Sequence, residues 1–135
     1  MRGWLVAALM AVLALGPAGA QERDPAIPGV IQSQIDAFLA DDFVTAFTFA
    51  SPNIKRLFGN PDRFGTMVRQ GYPMVWRPAD VQFLEQETKG GAIHQKVLIT
   101  DAEGVPHVLD YQMIPTPEGW QINGVVLLVA PPVGA

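Results

Sequence analysis

Residues 81–129 read VQFLEQETK-GG-AIHQKVLIT-DAEG-VPHVLDYQMIP-TPEG-WQINGVVLLV, four strand-like runs separated by three glycine-bearing turn signals. Gly90-Gly91 suits a two-residue hairpin, and Asp101-Ala102-Glu103-Gly104 suits a type I turn closed by a glycine bulge. Thr116-Pro117-Glu118-Gly119 repeats that device. The pattern predicts four antiparallel strands, about 81–89, 92–101, 105–115 and 120–129, in a meander.

The turns set a register. One face of the sheet carries the rows Leu84, Val97, Leu109, Val126 and Thr88, Ile93, Met113, Ile122, which belong beneath a covering layer. Between them lies a polar row, Gln86, Gln95, Tyr111 and Gly124, where a glycine beside a tyrosine ring leaves room for a cavity. The opposite face carries Glu85, Lys96, Asp110 and Val125, and next to it an apolar stripe of Phe83, Leu98, Val108 and Leu127. An exposed stripe of that kind favours a homodimer through the sheet. The register requires a one-residue slip near Pro115, whose missing N–H suits a bulge, so that Ile122 and Val126 return to the apolar face.

Upstream the apolar spacing changes from two to about 3.6. Ile31, Ile35, Phe38 and Leu39 share one helical face, and Phe43, Ala46, Phe47 and Ala50 repeat the pattern after an acidic break at Asp41-Asp42. Ser51-Pro52 and Asn60-Pro61 each place a capping side chain before a proline suited to the first helical position. Each pair predicts a short helix, the second ended by Gly71 in the left-handed conformation. Tyr72 to Pro78, with two prolines, is expected to be extended. The fold class is therefore α+β, with N-terminal helices packed on a curved four-stranded antiparallel meander.

Residues 1–20 have the layout of an export signal: Arg2, an apolar run from Trp4 to Leu15, and a small-x-small site at Ala18-Gly19-Ala20. A cut after Ala20 leaves residues 21–135 as a single α+β domain in the periplasm or outside the cell, without a stable membrane span. The chain contains no cysteine, so packing alone must stabilise it. Residues 21–135 contain 8 basic and 13 acidic residues, which argues against nucleic-acid binding. The charge is uneven: residues 51–78 hold Lys55, Arg56, Arg63, Arg69 and Arg77 against Asp62 alone.

The segments Phe49-Ala50-Ser51-Pro52-Asn53-Ile54, Phe58-Gly59, Gly71-Tyr72-Pro73-Met74-Val75-Trp76-Arg77-Pro78 and Gly119-Trp120-Gln121-Ile122-Asn123-Gly124 resemble an uncharacterised bacterial family, domain of unknown function 4864. That resemblance implies no activity and no catalytic residue. The order of helices and meander is also similar to the nuclear-transport-factor-2-like, or cystatin-like, roll. Its relatives include isomerases, dehydratases and non-catalytic modules, so this likeness bears on fold alone.

Catalysis in such a roll needs an acid or base held in an apolar cavity. His94 and His107 fall on opposite faces about 17 Å apart along the hairpin, so they form neither a pair nor a metal site. No metal or cofactor is expected. Asp110 beside Lys96 reads as a surface ion pair. Tyr111 with Gln86 and Gln95 has two readings, a ligand-contacting patch or a satisfied buried network. Tyr72 and Trp76 could rim the cavity mouth or pack as core lids. The preferred function is a non-enzymatic module binding a small apolar or amphipathic molecule. The alternatives are a cavity enzyme using Asp110, His107 or Tyr111 for proton transfer, and an envelope interaction protein using the basic segment from Lys55 to Arg77.

Overall fold

A computed structural model describes residues 24–128; the expected signal and its cut site lie outside them. Among the described residues five helices precede the sheet: α1 (Ala26–Leu39), α2 (Phe43–Thr48), α3 (Pro52–Phe58), α4 (Pro61–Gly71) and α5 (Pro73–Trp76). The strands are β1 (Asp80–Lys89), β2 (Ala92–Thr100), β3 (Pro106–Thr116) and β4 (Gly119–Leu128), antiparallel in the order β1-β2-β3-β4.

The helix starts follow from their capping side chains. Asp42, Ser51 and Asn60 accept hydrogen bonds from the backbone N–H groups of Thr45, Ile54 and Arg63, satisfying donors that a helix end otherwise leaves open. In α1, Ile27, Ile31, Ile35 and Phe38 recur at helical spacing and are fully buried. They pack against Val97, Ile99, Leu109 and Met113 from the inner face of the sheet, forming one core. Gly65 in α4 permits the close approach of α2, because a Cβ there would lie 2.7 Å from Phe43 Cδ1.

Two helix-level expectations are corrected. Gly71 does not end α4 in the left-handed region; it is the last helical residue, and Tyr72 closes the helix at φ −135°. Residues 73–76 form a helical turn rather than an extended segment, since Pro73 at the first helical position needs no N–H partner.

The turns fix the pairing of β2 with β3 as expected: Ile93 with Met113, Gln95 with Tyr111, Val97 with Leu109 and Leu98 with Val108. Gly90 and Gly91 both have positive φ, as the two-residue hairpin demands, and Gly104 at φ 84° completes the type I turn and bulge. The two outer strands differ from expectation because each carries a bulge. In β1 the pairing shifts between Phe83 and Gln86, so Phe83, rather than Leu84, pairs with Val97 and packs against the core. In β4 the slip falls at Asn123, between the pairs Gln112–Gly124 and Met113–Ile122, and not near Pro115. Ile122 stays opposite Met113 as expected, but Val125 instead of Gly124 faces Tyr111, and Leu127 instead of Val126 faces Leu109.

The proposed stripe of Phe83, Leu98, Val108 and Leu127 is therefore not continuous. Its row is Gln82, Leu98, Val108 and Leu128, because each bulge moves one edge residue to the other face.

A candidate ligand cavity between helices and sheet

The Asn123 bulge docks α3. Phe49 O accepts from Ile122 N at 2.9 Å, and Ser51 N donates to Ile122 O at 2.8 Å, so the chain entering α3 runs briefly beside the edge strand. The fully buried Ser51 donates its hydroxyl to Asn123 Oδ1 at 2.7 Å while capping α3, and Asn123 in turn donates to Gln112 Oε1 at 3.0 Å. No residue of α3 itself is buried. Ile54 and Phe58 pack partly buried against the core, while Leu57 stays exposed.

Beneath α3 lies a cavity of about 380 Å³. Ile54, Leu57 and Phe58 of α3 form one wall, Phe64, Met67 and Val68 of α4 a second, and Gln34 and Phe38 of α1 contribute a third. The sheet supplies Tyr111, Ile122, Gly124 and Val125, and Tyr72 and Val75 close the side. Leu57, 72% exposed, marks the outer rim, whereas Tyr111, at 0%, marks the buried end. Phe64 joins the Phe38, Phe47 and Phe58 rings at centroid distances of 5.2–5.9 Å, an aromatic cluster behind and along the wall.

Three polar side chains line this space. Gln34 donates to Ala46 O at 3.1 Å, and Tyr72 donates its hydroxyl to Val125 O at 3.0 Å. The hydroxyl of Tyr111 is buried and has no hydrogen-bond partner among the described residues. Burial, reinforced by the neighbouring Tyr72 phenol, pushes the Tyr111 pKa well above the ordinary value of 10.0, so the group stays protonated.

The other sequence candidates have structural duties outside the cavity. Gln95, 1% exposed, donates through Nε2 to Leu84 O at the β1 bulge at 3.0 Å and to Lys96 O on β2 at 2.9 Å. Its Oε1 accepts from Gln86 Nε2 at 2.9 Å. Gln86 also holds Asp24, accepting from its N–H and donating to its carbonyl. Asp24 further accepts from Trp120 Nε1 at 2.8 Å through its carboxylate. Neither glutamine lines the cavity, so the amides and the tyrosine hydroxyl do not converge there. Trp76 also lies outside its wall: its Nε1 donates to Asp41 at 2.9 Å, and Arg77 stacks on its ring with Cζ 4.2 Å from the centroid. Arg77 pairs with Asp41 through both carboxylate oxygens and donates to Phe38 O, capping the end of α1. These contacts, with the Trp76 hydrogen bond first, hold the Asp41 carboxyl below its ordinary pKa.

The predicted ion pair of Asp110 with Lys96 is replaced by others. Asp110 meets His94 Nδ1 at 3.1 Å, and Lys96 meets Glu85 at 3.6 Å. His107 bonds Asp101 at 2.9 Å beside the β2–β3 turn, so each histidine has a carboxylate neighbour that the register alone did not reveal. That hydrogen bond, followed by one from the Val105 N–H, lowers the Asp101 pKa. Neither pair lines the cavity, and no carboxylate or histidine does among the described residues. Among the described residues there is no group of three or more metal-ligating side chains and no helix long and apolar enough to cross a membrane.

Sequence reasoning missed the contribution of α3 and α4 to the wall. Its signal was present in Ile54, Leu57 and Phe58, an apolar face too large for the little core that a seven-residue helix can cover.

No curated protein matches the chain. Among solved structures, it is similar to a Campylobacter jejuni protein described as a "Putative NTF2-like transpeptidase", at TM-score 0.50 and 11% identity. The match covers 71% of this chain and 96% of that one, a likeness of fold that supports the NTF2-like α+β assignment. Residues 20–135 match the family described as "Domain of unknown function (DUF4864)", and the chain belongs to that family.

Proposed function

We propose that this protein is an exported, non-enzymatic module that binds a small apolar or amphipathic molecule between its helices and sheet. One observation carries the binding reading: a cavity of about 380 Å³ is walled almost wholly by apolar side chains. That volume falls in the roughly 300–1,000 Å³ range of small-molecule sites. The export half rests on the leader-like composition of residues 1–20. The non-enzymatic half is supported by the wall chemistry, since proton transfer needs a titratable group near working pH and Tyr111 is pushed away from it.

Native mass spectrometry of freshly purified protein, with titration by a neutral solvatochromic dye, tests the binding reading. A retained adduct or saturable dye binding is expected. Failure of both would refute it. Fractionation of cells producing the full-length chain tests export: the expected product is a shortened, extracytoplasmic protein, and an intact cytoplasmic product would refute that half.

A further inference from the structure

We propose that the cavity takes the tail of a single-chain anionic amphiphile, whose head stays in solvent on the outer side of α4 beside Arg63. This rests on the binding reading above and names its ligand class.

Three observations carry the inference. The wall is almost wholly apolar and includes the exposed Leu57, so a chain can be buried while its polar end stays in water. Next, half-buried Met67 belongs both to this wall and to a shallow surface depression that holds Arg63, Thr66 and Gln70. Arg63 and Met67 stand at i and i+4 on α4, so Arg63 belongs to the helical stripe that borders the cavity. The volume, near the low end of the roughly 300–1,000 Å³ range of small-molecule sites, suits one chain rather than two.

The third observation is charge. Helices α3 and α4 hold Lys55, Arg56, Arg63 and Arg69 against Asp62 alone, a net charge of +3, whereas residues 21–135 as a whole carry 8 basic and 13 acidic side chains. None of the four cations forms an ion pair among the described residues, although Asp62 lines the same depression as Arg63. Arg56 donates to Asn53, and Arg69 donates to Thr66 and stacks on Phe43, which leaves Lys55 and Arg63 without a side-chain partner there. An anionic head gains attraction at this corner while remaining hydrated, so it needs no buried counter-charge. A cationic head is repelled.

The test uses decanoate, decyltrimethylammonium and decyl glucoside, which share one tail and differ in head charge. Each competes with the neutral dye N-phenylnaphthylamine below its micelle concentration. The protein is the wild type, Arg63→Glu, Lys89→Glu at the β1–β2 hairpin, and Ile54→Trp, which crowds a half-exposed wall position; circular dichroism checks that each is folded. At low salt the wild type is expected to bind decanoate about three- to tenfold more tightly than decyltrimethylammonium, with the glucoside between, the scale of one or two exposed charge pairs. Added salt should shrink that preference. Arg63→Glu should abolish or invert it, whereas Lys89→Glu, an equal change of charge, should retain it. From octanoate to decanoate, binding should tighten about two- to fourfold per methylene, as a buried tail requires. Equal affinity for the three heads, or a preference unchanged in Arg63→Glu, would overturn the ligand class while leaving the cavity reading intact. So would binding to phosphatidylglycerol vesicles without displacement of the dye by decanoate, which would make the basic corner a membrane contact. Dye and decanoate binding absent from the wild type, or unchanged in Ile54→Trp, would overturn both readings.

Discussion

Replacing Tyr111 with phenylalanine is expected to stabilise the ligand-free protein, against the usual direction for core substitutions. The ring is fully buried and packs in the core, and phenylalanine keeps that packing. What is removed is a hydroxyl with no acceptor among the described residues. In the unfolded chain that hydroxyl is hydrated, so folding strips it of water without replacement, at about 1–3 kcal/mol. Part of this returns on substitution, and we expect a gain of about 1 kcal/mol. With a urea dependence of about 1–3 kcal/mol per molar, the unfolding midpoint should rise by roughly 0.3–1 M at unchanged slope. Tyr72→Phe is the internal control. Its hydroxyl donates to Val125 O at 3.0 Å, so its loss should destabilise by about 0.5–1.5 kcal/mol. A drop of 1 kcal/mol or more in Tyr111→Phe would show that the hydroxyl is satisfied in solution, and would refute the reasoning.

Gln95→Leu should destabilise by about 2–4 kcal/mol, because Leu84 O at the β1 bulge and Lys96 O on β2 lose their donor; a urea midpoint matching wild type would contradict that role. Ser51→Ala removes both the α3 cap and the tie to Asn123, so about 1–2 kcal/mol should be lost, and amide exchange should accelerate first within 52–58; uniform acceleration would argue against local anchoring. Asp101 has a folded pKa below its ordinary 3.8, so its contribution is present above that value and lost as pH falls through the folded one. Urea midpoints from about pH 5 to pH 2 should therefore fall less steeply in Asp101→Asn than in wild type, and parallel curves would refute this linkage. Gly65→Ala should lower stability despite alanine's better helix propensity, since the new methyl meets the Phe43 ring at 2.7 Å; a gain would mean that the ring moves freely.

The middle of the sheet was legible because turn chemistry sits next to it. Asp101 Oδ1 accepts from the N–H groups of Glu103 and Val105, and Gly104 takes the left-handed position, so the pairing of β2 with β3 is set within five residues. The helix starts at Ser51 and Asn60 were legible for the same local reason, whereas Asp42 reads only as a break and proves to cap the second helix. The edges were not. Phe83 and Leu84 are both apolar, so alternation alone could not say which turns inward, and the answer depends on Gln95, which is close in space but a dozen residues away in sequence. At the other edge, Pro115 offered a plausible slip site, but it is accommodated opposite Trp120 near the strand end. Asn123 takes the extra residue, where Ser51 holds its side chain. The cavity followed the same division. Tyr111 and Tyr72 were identified, whereas the two glutamines were misplaced because an inward-facing amide looks the same in sequence whether it meets a ligand or a backbone carbonyl.

Asp24 touches Gln86 on β1 and Trp120 on β4, the first and last strands of an open sheet. In a flat sheet those strands would stand about 14 Å apart. One short residue bridging them acts as a clasp on a curled ribbon, so a force that flattens the ribbon must first undo the clasp. Asp24 lies three positions beyond the expected first residue of the processed chain. On the export proposed above, this fastening point stands next to the leader-like segment, so the domain's curl closes at its very start.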